Sequence, residues 1–405
     1  MKDALKTRIK LSIPGLLAFI CGAVNDISFE VVGELYLSEL LVFVSAIFVT
    51  VFYRSRLPGQ RIFWAFLFAA WATLAGYVLS DLYVGTLPQQ YFRGWGRAFI
   101  LLINCWGVMI LARQNRQNLW WFILGMGLGG ILYLYLNAVP FTIWKIGYGD
   151  RLAFILVAMM ALFPKILWAV LLTSFGLLNI WLDYRSMGAF FILVAMMIWI
   201  RGKMPVNSLK PRLHWGRVII AGSLGLIVIL GGLVMTEELY SDRRAASNSG
   251  RSAAVIVSLR AIADSPIIGY GSWTINKKYA NELRQEARKQ GREAGAKPGS
   301  TSSNAGSGFQ SHSQILQSWV EGGILGASFF LFFGYKLLQT MYWGAIRRPV
   351  DIFTPAFMFV LILGLWNLIA SPFLGFGRVQ IALAVGVIVA MSIERRSNIK
   401  EVRAP

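Results

Sequence analysis

The sequence predicts an all-α polytopic membrane protein of about 12 transmembrane helices with one large hydrophilic loop on the outer side. Three observations lead there. Of 405 residues, 56% are hydrophobic and only 14% charged, with a mean hydropathy of +0.59. A soluble globular chain carries about 25% charged residues, so an ordinary soluble enzyme is excluded. Apolar runs such as Gly216 to Thr236 and Thr354 to Ala370 match the ~20 residues that a helix needs to cross a bilayer. Lysine and arginine gather in alternate connections between those runs, which is the pattern of cytoplasmic loops.

Apolar runs bounded by charged or Gly/Pro-rich breaks place the spans at 11–27, 36–53, 61–80, 96–112, 119–137, 150–163, 165–183, 186–201, 216–236, 312–335, 354–371 and 376–392. Met1 to Lys10 is polar and basic, and the run after it lacks a small-residue cleavage signature. It reads as a first membrane helix rather than a removed signal peptide. With both termini cytoplasmic, the inner side holds 21 Lys+Arg. The short outer connections hold six: Arg93, Arg97, Lys145, Arg151, Arg185 and Arg378. The formal charge of +20 is therefore mostly a topology signal, and nucleic acid is not an expected partner. Cys21 and Cys105 lie in separate apolar segments and suggest neither a disulfide framework nor a thiolate metal site.

The chain divides into N-terminal membrane helices at 1–236, an outer loop at 237–311, and C-terminal membrane helices with a cytoplasmic tail at 312–405. The loop carries 11 Lys+Arg against seven Asp+Glu. From Arg251 to Ala263, Val255, Leu259 and Ile262 recur at helical spacing, which suits a helix along the membrane surface. A turn-rich stretch, Asp264 to Gly271, leads to a charged helix from about Trp273 to Gln290. Gly291 to Gly308 is rich in Gly, Ser and Ala and reads as a mobile linker.

Candidate chemistry concentrates on the outer side. His214, beside Trp215 in a basic inner loop, reads as an interfacial residue. His312 opens the tenth span directly after the linker. It is either a helix-capping residue or a base for a hydroxyl proton, since an unperturbed imidazole titrates near pH 6.5. Arg185, Arg251, Arg260 and Arg378 lie at the outer surface, where guanidinium groups grip phosphate through paired hydrogen bonds, in a lipid headgroup or in a substrate. For Arg378 the headgroup is the expected partner. Glu321 falls nine residues into the tenth span, about 13 Å deep and on the face opposite His312. A carboxyl group at that depth faces protein or a wet cavity, and a structural hydrogen-bonding role is expected for it. Asp26, Glu30, Glu34 and Glu39 cluster at the first outer connection, mostly as a solvated loop. No phosphate-binding glycine loop, zinc site or serine triad is present in the sequence.

Three motifs, in order, resemble the O-antigen ligase and O-antigen polymerase superfamily, bacterial envelope transferases that use undecaprenyl-pyrophosphate-linked glycans. Asp183 to Ala189 is similar to the family's Ser-Arg-Gly-Ala segment, with Arg185 and Ser186 in reversed order and Met187 intervening. Ser249 to Arg251, followed by Asp264 to Gly271, resembles the Gly-Arg and Pro-Leu-x-Gly-x-Gly stretch of the large outer loop. His312-Ser313, with the Glu321 to Gly326 ending, is close to the family's His-Asn/Ser signature and is the most specific of the three. The similarity is best from about 165 to 335.

The resemblance implies a glycosyltransferase C-like membrane fold in the bacterial inner membrane, active at the periplasmic face without a metal or other cofactor. It implies that Arg185, Arg251 and Arg260 bind the donor pyrophosphate and that His312 is the catalytic residue, activating an acceptor hydroxyl. The donor would be an undecaprenyl-pyrophosphate-linked glycan, and the acceptor another glycan for a polymerase or lipid A-core for a ligase. The motifs do not separate these two. A polytopic solute transporter also fits twelve spans, although the long outer loop and the scarcity of mid-membrane charge beyond Glu321 and Lys336 count against it.

Overall fold

The computed structural model describes residues 9–31, 33–53, 61–201, 250–273, 277–293, 311–346, 350–371 and 377–403. Helices occupy eleven of the twelve expected stretches; the remaining one, 216–236, lies outside the described residues together with His214 and most of the expected linker. Their termini follow local chemistry. Helix α1 (Ile13–Ala23) starts where the Ser12 hydroxyl accepts from the Gly15 N–H at 3.2 Å and Pro14 occupies the first turn. A short antiparallel ribbon, β1 (Ser28–Glu30) with β2 (Glu34–Tyr36), leads into α2 (Leu37–Phe52). Helices α3 (Arg61–Val84) and α4 (Pro88–Gln114) follow, and Asn115 caps α5 (Arg116–Leu136) by accepting from the Gln117 N–H at 2.9 Å.

A π-turn at Trp144–Tyr148 precedes α6 (Gly149–Met159), and Pro164 separates it from α7 (Lys165–Trp181) and then α8 (Arg185–Arg201). The segment between α8 and the last three helices contributes α9 (250–264) and α10 (Lys277–Glu293), close to the two helices expected there. Helices α11 (Gln314–Ile346), α12 (Thr354–Ala370) and α13 (Gly377–Arg403) complete the described chain.

Among the described residues, α3, α4, α5, α11 and α13 are long and apolar enough to cross a membrane, and α1, α2, α7, α8 and α12 are shorter apolar helices. Large apolar side chains remain exposed on the outside of the bundle, Phe68 at 77%, Tyr83 at 75% and Ile166 at 84% among them. Such a surface is suited to lipid rather than water. Inside, α13 is buried on all sides from Val379 to Val389, as expected of a helix that is apolar all round. Small residues bring backbones together. A Cβ on Gly125 of α5 would stand 2.2 Å from the Phe19 carbonyl oxygen of α1, and one on Gly76 of α3 would stand 2.4 Å from the Gly326 nitrogen of α11.

Three expectations change. Helix α4 begins at Pro88, so Arg93 and Arg97 belong to a helix and not to an outer connection. Arg378 does not face lipid, and Glu39 is not in a solvated loop. Both are buried, and Arg378 donates from Nε to Glu39 Oε1 at 2.8 Å and from a terminal nitrogen to Oε2 at 3.0 Å. The start of α2 is thus clamped to the start of α13 by a bidentate pair. Asp26 is likewise engaged, accepting from Arg151 at 2.6 and 3.1 Å, whereas Glu30 and Glu34 are exposed.

Candidate functional site

The site is organised around a break in α11. Gly323 there has φ 63° and ψ −159°, a conformation open essentially to glycine alone. In an unbroken helix the Ile324 N–H would bond to the Val320 carbonyl. Here Ile324 donates to the Pro266 carbonyl at 3.1 Å, and the Val320 carbonyl accepts from the Tyr270 N–H at 2.8 Å. The Glu321 carbonyl accepts from the Gly271 N–H at 3.0 Å and from the Ser80 hydroxyl at 2.7 Å. The turn from Asp264 to Gly271 therefore replaces, bond for bond, what the helix gives up. Gly269 makes the close approach possible, since its Cβ would lie 2.6 Å from the Gly323 nitrogen.

Beneath this junction lies a fully buried polar network. Glu321 is 0% exposed and pairs with Arg97 of α4, itself 4% exposed. The carboxylate oxygen that meets Arg97 also accepts from the Tyr77 hydroxyl at 2.7 Å. The other oxygen accepts from Gln317 Nε2 at 2.7 Å and from the Trp273 N–H at 3.1 Å. The Arg97 guanidinium lies 5.2 Å from the Trp273 ring centroid and 5.5 Å from that of Tyr77, within cation–π range. Asp81 of α3 anchors the residue before Trp273, accepting from the Ser272 N–H at 2.6 Å and its hydroxyl at 2.7 Å, with Trp95 Nε1 donating at 2.7 Å. Every lone-pair direction of Glu321 is thus engaged by protein donors.

His312 stands just before α11, where Ser313 accepts from the Leu316 N–H at 3.4 Å as the helix cap. Its two neighbours are buried and bonded. The Ser311 N–H donates to Gln317 Oε1 at 2.6 Å, and the Ser313 hydroxyl donates to the Leu368 carbonyl at 3.1 Å. The histidine between them is exposed. Its pKa lies below the usual imidazole value, first because surrounding chain hinders hydration of the charged ring and then because the positive charge of Arg251 is close. Arg251 is 61 residues away in sequence, and the docking of α9 on α11 joins the two segments.

Arg251 is exposed near the start of α9, which docks through Val257 and Ala261 against Tyr279 of α10 and Val320 of α11. Val255 and Leu259 stay exposed on its other side. Arg260 is nine residues along α9, about 13 Å away and turned by about 180°, and lies 3.9 Å from Glu286 of α10. Arg185 starts α8, half-buried and 3.5 Å from Asp183. Among the described contacts none joins His312 to Arg251, Arg260 or Arg185; of the three, only Arg251 contributes to the lowered pKa of His312.

Sequence reading missed Arg97, Tyr77, Gln317 and Asp81. Arg97 and Asp81 did carry a signal, each being a charged residue next to an apolar run, but position at a run's edge reads equally as a loop. Among the described residues, no three His, Cys, Asp or Glu side chains converge as a metal site. Compared with known proteins, the chain matches no family model and no curated sequence.

Proposed function

We propose that the chain is a membrane glycosyltransferase of the O-antigen ligase or polymerase type, moving a glycan from undecaprenyl pyrophosphate to an acceptor hydroxyl at the periplasmic face. The observation that carries this reading is the docking of α9 and of the turn at 264–271 on α11, which joins the segment that bears Arg251 to the helix that His312 precedes. The motif resemblance and the apolar helices that suit a lipid bilayer support it. In this reading the inner bacterial membrane holds about twelve spans, both termini are cytoplasmic, and lipid A-core or a second glycan is the acceptor.

The chemistry asks for little beyond those groups. The acceptor oxygen attacks the anomeric carbon as its proton passes to His312. The bond from that carbon to the pyrophosphate oxygen breaks, and the electron pair leaves with undecaprenyl pyrophosphate. Arg251 stabilises the charge that develops on the leaving group, with Arg185 and Arg260 proposed as further pyrophosphate ligands. The lowered pKa keeps His312 neutral, and so able to accept a proton, to lower pH than an ordinary histidine. Glu321 gives this site structural support.

A transporter would need a polar group available to its solute at membrane depth. The Glu321 carboxylate is instead covered by four protein donors, which favours the transferase. The test is incubation of purified protein with lipid-linked repeat unit, with His312→Ala as control. Solute uptake into proteoliposomes that persists in that variant would favour the transporter.

A further inference from the structure

We infer that the buried Arg97–Glu321 pair, acting through the side-chain amide of Gln317, fixes the backbone that carries His312, so that Arg97, Glu321 and Gln317 are positioning residues for that histidine. The inference rests on the transferase reading for its effect on rate, and on geometry alone for its effect on the position of His312.

A glutamine amide has one donor end and one acceptor end, whereas a carboxylate paired with a guanidinium offers acceptors only. Glu321 Oε1 therefore takes the Gln317 nitrogen, at 2.7 Å, and turns the amide oxygen toward the Ser311 N–H, at 2.6 Å. Arg97 holds the carboxylate in place from α4, and Tyr77 does so from α3. The chain of contacts thus runs from two membrane helices through one side chain to the residue preceding His312. On the other side, Ser313 is tied to the Leu368 carbonyl of α12 and its N–H to the Ser311 hydroxyl. Burying an ion pair is costly and by itself weak evidence of stability. Fixing an exposed base within a fraction of an ångström of a developing charge is a use that accounts for the cost.

The experiment uses the full chain in lipid nanodiscs. The extent of diethyl pyrocarbonate modification at His312 is followed against pH by peptide mass spectrometry. His214, the other histidine in the sequence, serves as internal reference. Gln317→Met keeps the side-chain length and removes both amide bonds. Its half-modification pH at His312 should rise by about half a unit as the segment moves away from Arg251 and into water, while His214 is unchanged. In the transfer assay kcat should fall about tenfold with KM nearly constant, since the loss is in orientation and not in binding.

If Gln317→Met fails to fold, Tyr77→Phe removes one hydroxyl from the same network and should shift His312 in the same direction by less. An unmoved His312 profile in whichever of these variants folds overturns the inference. Full transfer by His312→Ala would instead sink the catalytic reading, while the modification profile would still decide whether the pair positions that residue.

Discussion

A Cβ on Gly323 would stand 1.9 Å from the carbonyl oxygen of Ile267, so the break in α11 and the turn after α9 are one joint, closed by the absence of a side chain. Any larger residue must both leave the Gly-only backbone region and push the turn away. Gly323→Ala should therefore destabilise the protein by about 1–3 kcal/mol from backbone conformation alone. The steric contact adds to that. Thermal unfolding in detergent would show a lower midpoint, and an unchanged midpoint would mean that the turn does not dock there.

The Glu39–Arg378 pair offers a second test of the fold. Arg378→Met leaves Glu39 buried with the Asn104 side-chain amide and the Tyr36 backbone N–H as donors but no cation. The cost should be about 3–5 kcal/mol, the usual range for breaking one side of a buried pair. An arginine that merely touched lipid headgroups would cost less than about 1 kcal/mol. Comparing the unfolding of Arg378→Met, Glu39→Gln and the double variant gives the coupling directly, and additive effects would refute the pairing.

Most helices were legible in the sequence because bilayer thickness imposes a run length that composition alone betrays. The start of the tenth span at His312 was legible too, whereas the break at Gly323 was not, because the run 312–335 reads as one continuous helix. The supporting network was not. Arg97 and Glu321 are separated by 224 residues, and Glu39 and Arg378 by 339, so no local pattern joins them. The rule that places arginine by side of the membrane assigned Arg97 and Arg378 to connections, because it counts charge without knowing which charges find buried partners. Glu321 was recognised as a residue that needs a partner; which partner it takes depends on packing between α3, α4 and α11.

The two loop arginines should behave differently. Arg251 contributes to the lowered pKa of His312, whereas Arg260 is directed at Glu286. Arg251→Ala should lower kcat/KM for transfer by about 100-fold or more, and Arg260→Ala by less than about tenfold. Equal losses in the two variants would mean that α9 moves when substrate binds. If Arg251→Lys is as impaired as Arg251→Ala, paired hydrogen bonding to phosphate is required there; an active lysine variant would mean that charge alone suffices.

The pH profile follows from the same shift. Hindered hydration of the charged ring, and after it the positive charge of Arg251, disfavour the protonated form of His312 and lower its pKa. As the pH falls through that lowered value, the base is protonated and the rate is lost, so the acidic limb should lie below pH 6.5, the ordinary value of about which a free imidazole titrates. Arg251→Gln removes the charge, raises the pKa and should move the acidic limb upward. A limb that stays in place, or moves down, would separate His312 from Arg251 in the working enzyme.

Direct attack by the acceptor oxygen on the anomeric carbon inverts its configuration. NMR of the product should therefore show the anomer opposite to that of the donor, and a retained anomer would require a covalent glycosyl-enzyme intermediate in place of direct displacement.

The most direct test of the central claim is mass spectrometry of the products formed when the purified protein meets its undecaprenyl-pyrophosphate-linked repeat unit, first alone and then with lipid A-core. A transferase of this type forms a ladder of longer lipid-linked glycans in the first case or glycosylated lipid A-core in the second, with either product lost in His312→Ala. Unchanged donor under both conditions, or a product that His312→Ala forms equally well, would contradict that claim.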